Sequence, residues 1–107
     1  MTVRQHMVEF SAKCWLYSGK SAWYFLTLPT DIATEISYFS KALYGGKRMG
    51  WGSVKVTVQV GKTSWQTSLF PDSKNKSYVL PLKAAVRKAE NIIEGRTVKV
   101  CVSMSMP

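Results

Sequence analysis

Ser77-Tyr78-Val79-Leu80-Pro81-Leu82-Lys83-Ala84-Ala85-Val86-Arg87-Lys88-Ala89 changes its period in the middle, and that change decides how the chain folds. Up to Pro81 the stretch is a short apolar strand. Proline holds the residue before it in extended backbone and is accepted in the first turn of a helix, so the strand is expected to end at Pro81 and a helix to begin there. Beyond it Leu82, Ala85, Val86, Ala89 and Ile93 recur at helical spacing on one face, with Lys83, Arg87 and Lys88 on or beside the other. Gly95 is the expected stop.

Upstream of this unit the chain alternates. In Ser53–Val60 the valines 54, 56, 58 and 60 face one way and Lys55, Thr57 and Gln59 the other, the pattern of a half-buried strand. Gly61-Lys62 is a tight turn, and Thr63–Phe70 returns antiparallel with Trp65, Thr67 and Leu69 on one side. Earlier still, Met7–Tyr17 places Val8, Phe10, Ala12, Cys14 and Leu16 on one face and Trp15 and Tyr17 on the other. That second face turns aromatic at its end and is expected to be covered there. Ser18–Ser21 makes a hairpin with Ala22–Leu28. Pro29 stops that strand, Thr30 and Asp31 open a helix, Ile32, Ile36, Phe39 and Leu43 form its stripe with Ala33 and Ser40 beside it, and Gly45-Gly46 ends it. Thr97–Met104 is the last strand.

The order is therefore β-β-α-β-β-β-α-β: a mostly β domain with two helices. At least three of the six strands show a single apolar face, and six strands in an open sheet leave two exposed edges, so a small closed or nearly closed mixed β-barrel is expected, with helices over its ends. Residues 1–6 are read as a frayed start and residues 7–107 as one domain.

Fifteen Lys and Arg against six Asp and Glu give a net charge of +9 in 107 residues. Residues 1–46 hold four of these bases against three acids. Residues 47–107 hold eleven against Asp72, Glu90 and Glu94, so the excess belongs to the second half. Such a field attracts polyanions without selecting among them, and it also keeps a protein in solution. Hydrophobic residues at 46% describe an ordinary globular chain. No apolar run approaches the length of a membrane span, so no membrane role is expected. Cys14 and Cys101 show no CxxC spacing, so no disulfide is expected and the cytoplasm is the default compartment.

The assembled residues resemble a known family. Trp23-x-Phe25-x-x-Leu28-Pro29, Gly52-Ser53-Val54-x-Val56, Thr67-Ser68-Leu69-Phe70-Pro71, Tyr78-x-Leu80-Pro81-Leu82-Lys83-x-x-Val86-Arg87-Lys88-Ala89 and Gly95-x-x-Val98-x-Val100 are similar to the DUF1905 pattern of small bacterial and archaeal proteins, over about residues 7–103. The resemblance implies a closed barrel with accompanying helices and no mechanism. Members often carry an Asp-Gly type turn where this chain has Asn75-Lys76-Ser77.

The residues available for chemistry point to binding rather than catalysis. The single histidine, His6, lies in the stretch read as a frayed start, and Asp31, Glu35, Glu90 and Glu94 sit where helix caps and salt-bridge partners belong. One histidine and two scattered cysteines give no metal-ligand spacing, and no cofactor is expected. A non-catalytic binding or scaffold domain is the leading expectation. Two binding alternatives stand beside it, with an enzyme ranked last. The first is nucleic acid or another polyanion, held by Lys55, Lys62, Lys74, Lys76, Lys83, Arg87 and Lys88, with Trp15, Tyr17, Trp51 or Trp65 available to stack on bases. The second is a small anionic ligand in a pocket between helix and barrel rim, lined by Trp51, Tyr78, Lys83 and Arg87.

Overall fold

A computed structural model describes residues 5–19, 22–43 and 52–105. The elements are β1 (Gln5–Ser18), β2 (Ala22–Thr27), α1 (Thr30–Leu43), β3 (Val54–Val60), β4 (Thr63–Asp72), β5 (Ser77–Pro81), α2 (Ala84–Glu90) and β6 (Thr97–Ser105), in the expected order. The strands close into a barrel, β1-β2-β5-β4-β3-β6 and back to β1. All six ladders are antiparallel, so no parallel pair is mixed in.

Closure depends on the long β1. It pairs with β6 from Gln5 to Lys13, then passes to β2 from Cys14 to Ser18. At the handover Cys14 N–H donates to the Arg96 carbonyl at 2.9 Å and Gly95 N–H donates to the Cys14 carbonyl at 2.7 Å. The interior is filled by the inward half of each alternation. Val54, Val56, Val58 and Val60 of β3 are buried, and beside them Val98, Val100, Val102 and Met104 of β6, Val8, Phe10 and Cys14 of β1, and Leu26, Leu69 and Leu80. A barrel of this size is packed with side chains rather than hollow. On β4, Leu69 turns inward and Phe70 turns to water.

Several boundaries differ from expectation. β1 starts at Gln5, so Gln5 and His6 belong to the barrel rather than to a frayed start. His6 stacks on Phe39 with centroids 4.5 Å apart and shares a 2.6 Å hydrogen bond with Glu35. On α1 the deepest side chains are Ala33, Ile36 and Ser40, the small ones letting the helix lie close to the barrel, while Ile32 and Phe39 flank them half-buried.

The helix after Pro81 is shorter than its apolar spacing suggests. Lys83 is extended (φ −70°, ψ 158°), so α2 opens at Ala84 and ends at Glu90, with Asn91 in the left-handed conformation as its C-cap. The Arg96 guanidinium reaches back to the carbonyls of Glu90 and Asn91, the groups a helix end leaves unsatisfied. Because Asn91 turns the chain, Ile92 rather than Ile93 is buried, and Ala85 and Ala89 face water. Gly95, at φ 87°, serves the turn into β6 instead of the helix end. In the β4–β5 turn Lys76 holds a left-handed φ of 51°, a conformation that glycine adopts at less cost. The expected stop at Gly45-Gly46 lies outside the described residues. Among the described residues no helix is long and apolar enough to cross a membrane.

Candidate binding site at the barrel seam

β5 is only five residues long, and its shortness opens the barrel wall. It pairs with β2 from Phe25 to Thr27 and with β4 from Phe70 to Asp72. The first residues of β2 and the segment 63–67 of β4 therefore run past its end with nothing of β5 between them. The chain leaves the sheet at Leu82, whose N–H still donates to the Tyr24 carbonyl at 2.9 Å, and α2 lies beside the opening, burying Leu82 and Val86. A cleft of about 370 Å³ remains, lined by Ala22, Trp23, Tyr24, Thr67, Pro81, Leu82, Lys83 and Arg87.

Arg87 is the fixed point of this cleft. Its guanidinium carbon lies 3.8 Å from the centroid of the Tyr24 ring, a cation–π contact. Its Nε donates to the Leu82 carbonyl at 3.2 Å, which holds the guanidinium plane in one orientation. Among the described residues neither Arg87 nor Lys83 has an acidic partner, since the ion pairs found there are His6–Glu35 and Lys99–Glu9. Glu90, one of the acids expected at a cap or salt-bridge position, accepts a 2.6 Å hydrogen bond from the Thr63 hydroxyl. Lys83 and Arg87 thus both line the cleft without an acid paired to either among the described residues.

A second surface adjoins the first. Trp15 and Tyr17 of β1 stand opposite Phe25 and Trp23 of β2 in register, all on the outside of the barrel. Phe70 of β4 and Val79 and Pro81 of β5 continue that outer face. The Trp23 and Phe25 rings are nearly parallel, 9° apart in plane with centroids 6.1 Å apart, and Trp15 is tilted against Phe25 at 5.1 Å. Trp15 is held by its Nε1–H, which donates to the Thr27 hydroxyl at 2.9 Å. Tyr17, Trp23 and Phe70 are 55%, 54% and 47% exposed, so the aromatic face expected to be covered is open among the described residues. A shallow apolar depression of about 400 Å³ lies over it, and Trp23 and Pro81 belong to both this depression and the basic cleft.

The seven bases singled out from the sequence divide between the two ends of the barrel. Lys62 sits in the β3–β4 turn, close to the C-terminal end of α2, and Lys83, Arg87 and Lys88 belong to α2 and its cap. Lys74 and Lys76 occupy the β4–β5 turn, the whole ten-residue length of β4 away, about 30 Å. Lys55 lies on the outer wall of β3. Of the four pocket residues expected, Lys83 and Arg87 come together in the cleft. Tyr78 is buried at the opposite end and borders a separate groove beside α1. Trp51 lies outside the described residues.

Of the aromatic candidates, Trp15 and Tyr17 are on the outer face, whereas Trp65 points inward opposite Val58, its indole N–H buried without a partner among the described residues. Trp23, Tyr24, Phe25 and Phe70 were not among the site candidates. The signal for Trp23 and Phe25 was their alternation opposite Trp15 and Tyr17 across the first hairpin.

Cys14 lies in the barrel interior near this site, and burial pushes its thiol above the ordinary range. The Arg87 charge opposes that shift and the Glu94 charge adds to it. Cys101 is half-buried and, like Cys14, is a free thiol.

A closed antiparallel barrel of six strands, capped by two short helices and opened at one seam beside an aromatic wall, defines a small β-barrel domain with a basic cleft. The DUF1905 family model, a domain of unknown function, matches residues 10–102, most of the chain, and the protein belongs to that family. No curated protein matches the chain.

Proposed function

We propose that the protein is a non-catalytic binding domain that holds the anionic group of its ligand in the seam cleft, between Lys83 and Arg87. The observation that carries this is the pair of cations on one cleft, without acidic partners among the described residues, one of them held in orientation by Tyr24 and the Leu82 carbonyl. A guanidinium held this way loses little freedom when it grips an oxyanion, and charge-assisted hydrogen bonds are the stronger kind. The described lining contains no acid, histidine or cysteine, so the groups that general acid–base or thiol chemistry draws on are missing from it, and binding ranks above catalysis. The two free thiols fit a reducing compartment, and we place the protein in the cytoplasm.

The test is titration calorimetry at low salt with simple anionic probes: inorganic phosphate, pyrophosphate and a short polyphosphate. The wild type is expected to bind at least one of them, with affinity falling as salt rises. Arg87→Gln and Lys83→Ala are each expected to lower that affinity by roughly 5- to 30-fold, the equivalent of about 1–2 kcal/mol for a charged hydrogen bond lost. Binding that both variants retain unchanged, or no binding of any probe at about 50 mM salt, overturns the proposal.

A further inference from the structure

We infer that the seam and the aromatic wall beside it form one surface for single-stranded nucleic acid, the phosphates lying on Lys83 and Arg87 and unpaired bases stacking on Trp23 and its neighbours. This rests on the reading of the cleft as an anion site and gives its ligand a chemical class.

Continuity is the first support. Trp23 and Pro81 line both the basic cleft and the apolar depression, so a ligand spanning the two meets cations and then flat rings without crossing a gap. Together the two hollows, about 370 and 400 Å³, offer more room than one base and its phosphate fill. Orientation is the second. The Trp23 and Phe25 rings are parallel within 9°, and Trp15 is pinned by its bond to Thr27, so the ring faces are set before a ligand arrives. Stacking of a base on such a ring contributes about 1–3 kcal/mol and accepts any base.

Charge is the third support. The described lining of both hollows holds two cations and no acid. A second copy docked face to face would bring Lys83 and Arg87 toward their own counterparts, so self-association through this wall is disfavoured, whereas a polyanion is attracted. Closure of the barrel bears on the choice as well. Across the aromatic wall β1 is paired with β2, β2 with β5 and β5 with β4, so what the wall offers is ring faces, with positive charge beside them at the seam. A duplex keeps its base faces stacked inside itself, out of reach of rings on the outer wall of the barrel. The preference is therefore for unpaired strands.

The experiment measures anisotropy of labelled strands of about 12 nucleotides at about 50 mM salt. The set is single-stranded oligothymidylate, oligouridylate, a duplex of equal length, and an abasic deoxyribose-phosphate chain. The single strands are expected to bind at least about tenfold more tightly than the duplex or the abasic chain. Trp23→Ala is expected to cost about tenfold in affinity and Phe70→Ala a few-fold, while Trp23→Phe stays within about threefold of wild type. Both side chains are about half exposed, so the variants fold, which circular dichroism checks.

An abasic chain bound as tightly as the base-bearing strands, or unchanged affinity in Trp23→Ala, overturns base stacking while leaving the anion site intact. Loss of all binding, phosphate probes included, removes both readings. A dimer seen in sedimentation and abolished by Trp23→Ala, with no strand bound, assigns the wall to self-association and overturns the inference. The same holds for an acidic polypeptide such as polyglutamate binding in Trp23-dependent fashion while single strands do not.

Discussion

At the scale of single residues the site depends on how Arg87 is held. A lysine in its place would keep the charge, but it would lose the planar contact with Tyr24 and the directed bond to Leu82, because an ammonium is a point charge on a flexible stem. Cys14 offers a separate check on the interior behind the cleft. Its thiol is raised by burial, so between its unfolded and folded values the native state binds a proton that the unfolded state has lost. Stability is therefore expected to fall as pH rises above the ordinary thiol value of 9.0, and Cys14→Val is expected to flatten that loss, as read by urea titrations across alkaline pH. An identical alkaline slope in wild type and variant would show that Cys14 is not the group responsible.

At the scale of elements, α2 acts as a clasp between the two halves of the barrel. Glu90 receives the Thr63 hydroxyl from β4, Arg96 binds the helix end from the far side, and Leu82, whose N–H donates to the Tyr24 carbonyl of β2, leads β5 into the helix cap. The β3–β4 turn fits beneath the Glu90 carboxylate because residue 61 is glycine. Its φ of 57° is left-handed, and a Cβ there would run into that carboxylate. Gly61→Ala is expected to cost about 1–2 kcal/mol through backbone conformation alone, with the displaced Glu90–Thr63 bond adding to it. Urea unfolding measures the cost, and a variant as stable as wild type would mean that the turn and the helix end are not in contact. The clasp also explains why a helix of seven residues persists, since so short a segment has little stability of its own.

At the scale of the whole molecule, closure makes every strand depend on two neighbours. β1 bridges β6 and β2, and β5 bridges β2 and β4, so neither half of the barrel can open without breaking ladders in the other. One cooperative transition is expected, with calorimetric and van't Hoff enthalpies equal and near 70 kcal/mol for a chain of this length. Two resolved transitions would show the halves to be independent. The charge is also a property of the whole. The expected basic residues lie at both ends of a roughly 30 Å strand, so they do not form a single basic face. The seam cleft is distinguished by its aromatic neighbours and the absence of acids from its described lining rather than by the number of its cations.

The sequence by itself determined the order of the eight elements, the inward valines of β3 and β6, the tight turn at Gly61-Lys62 and, through six strands whose open sheet would leave two edges, the need to close. These follow from short-range rules: a period of two sorts the faces of a strand, and turn residues place its ends. Only the tertiary structure decided that α2 stops at Glu90, that Tyr17, Trp23 and Phe70 face outward into the open with Trp15 half-buried beside them, and that Arg87 turns onto Tyr24. Alternation shows that two faces of a strand differ without showing what covers the second. The helix end is set by Arg96 reaching back from beyond the turn, and the cation–π pair joins residues far apart in the chain that meet only where β5 runs out.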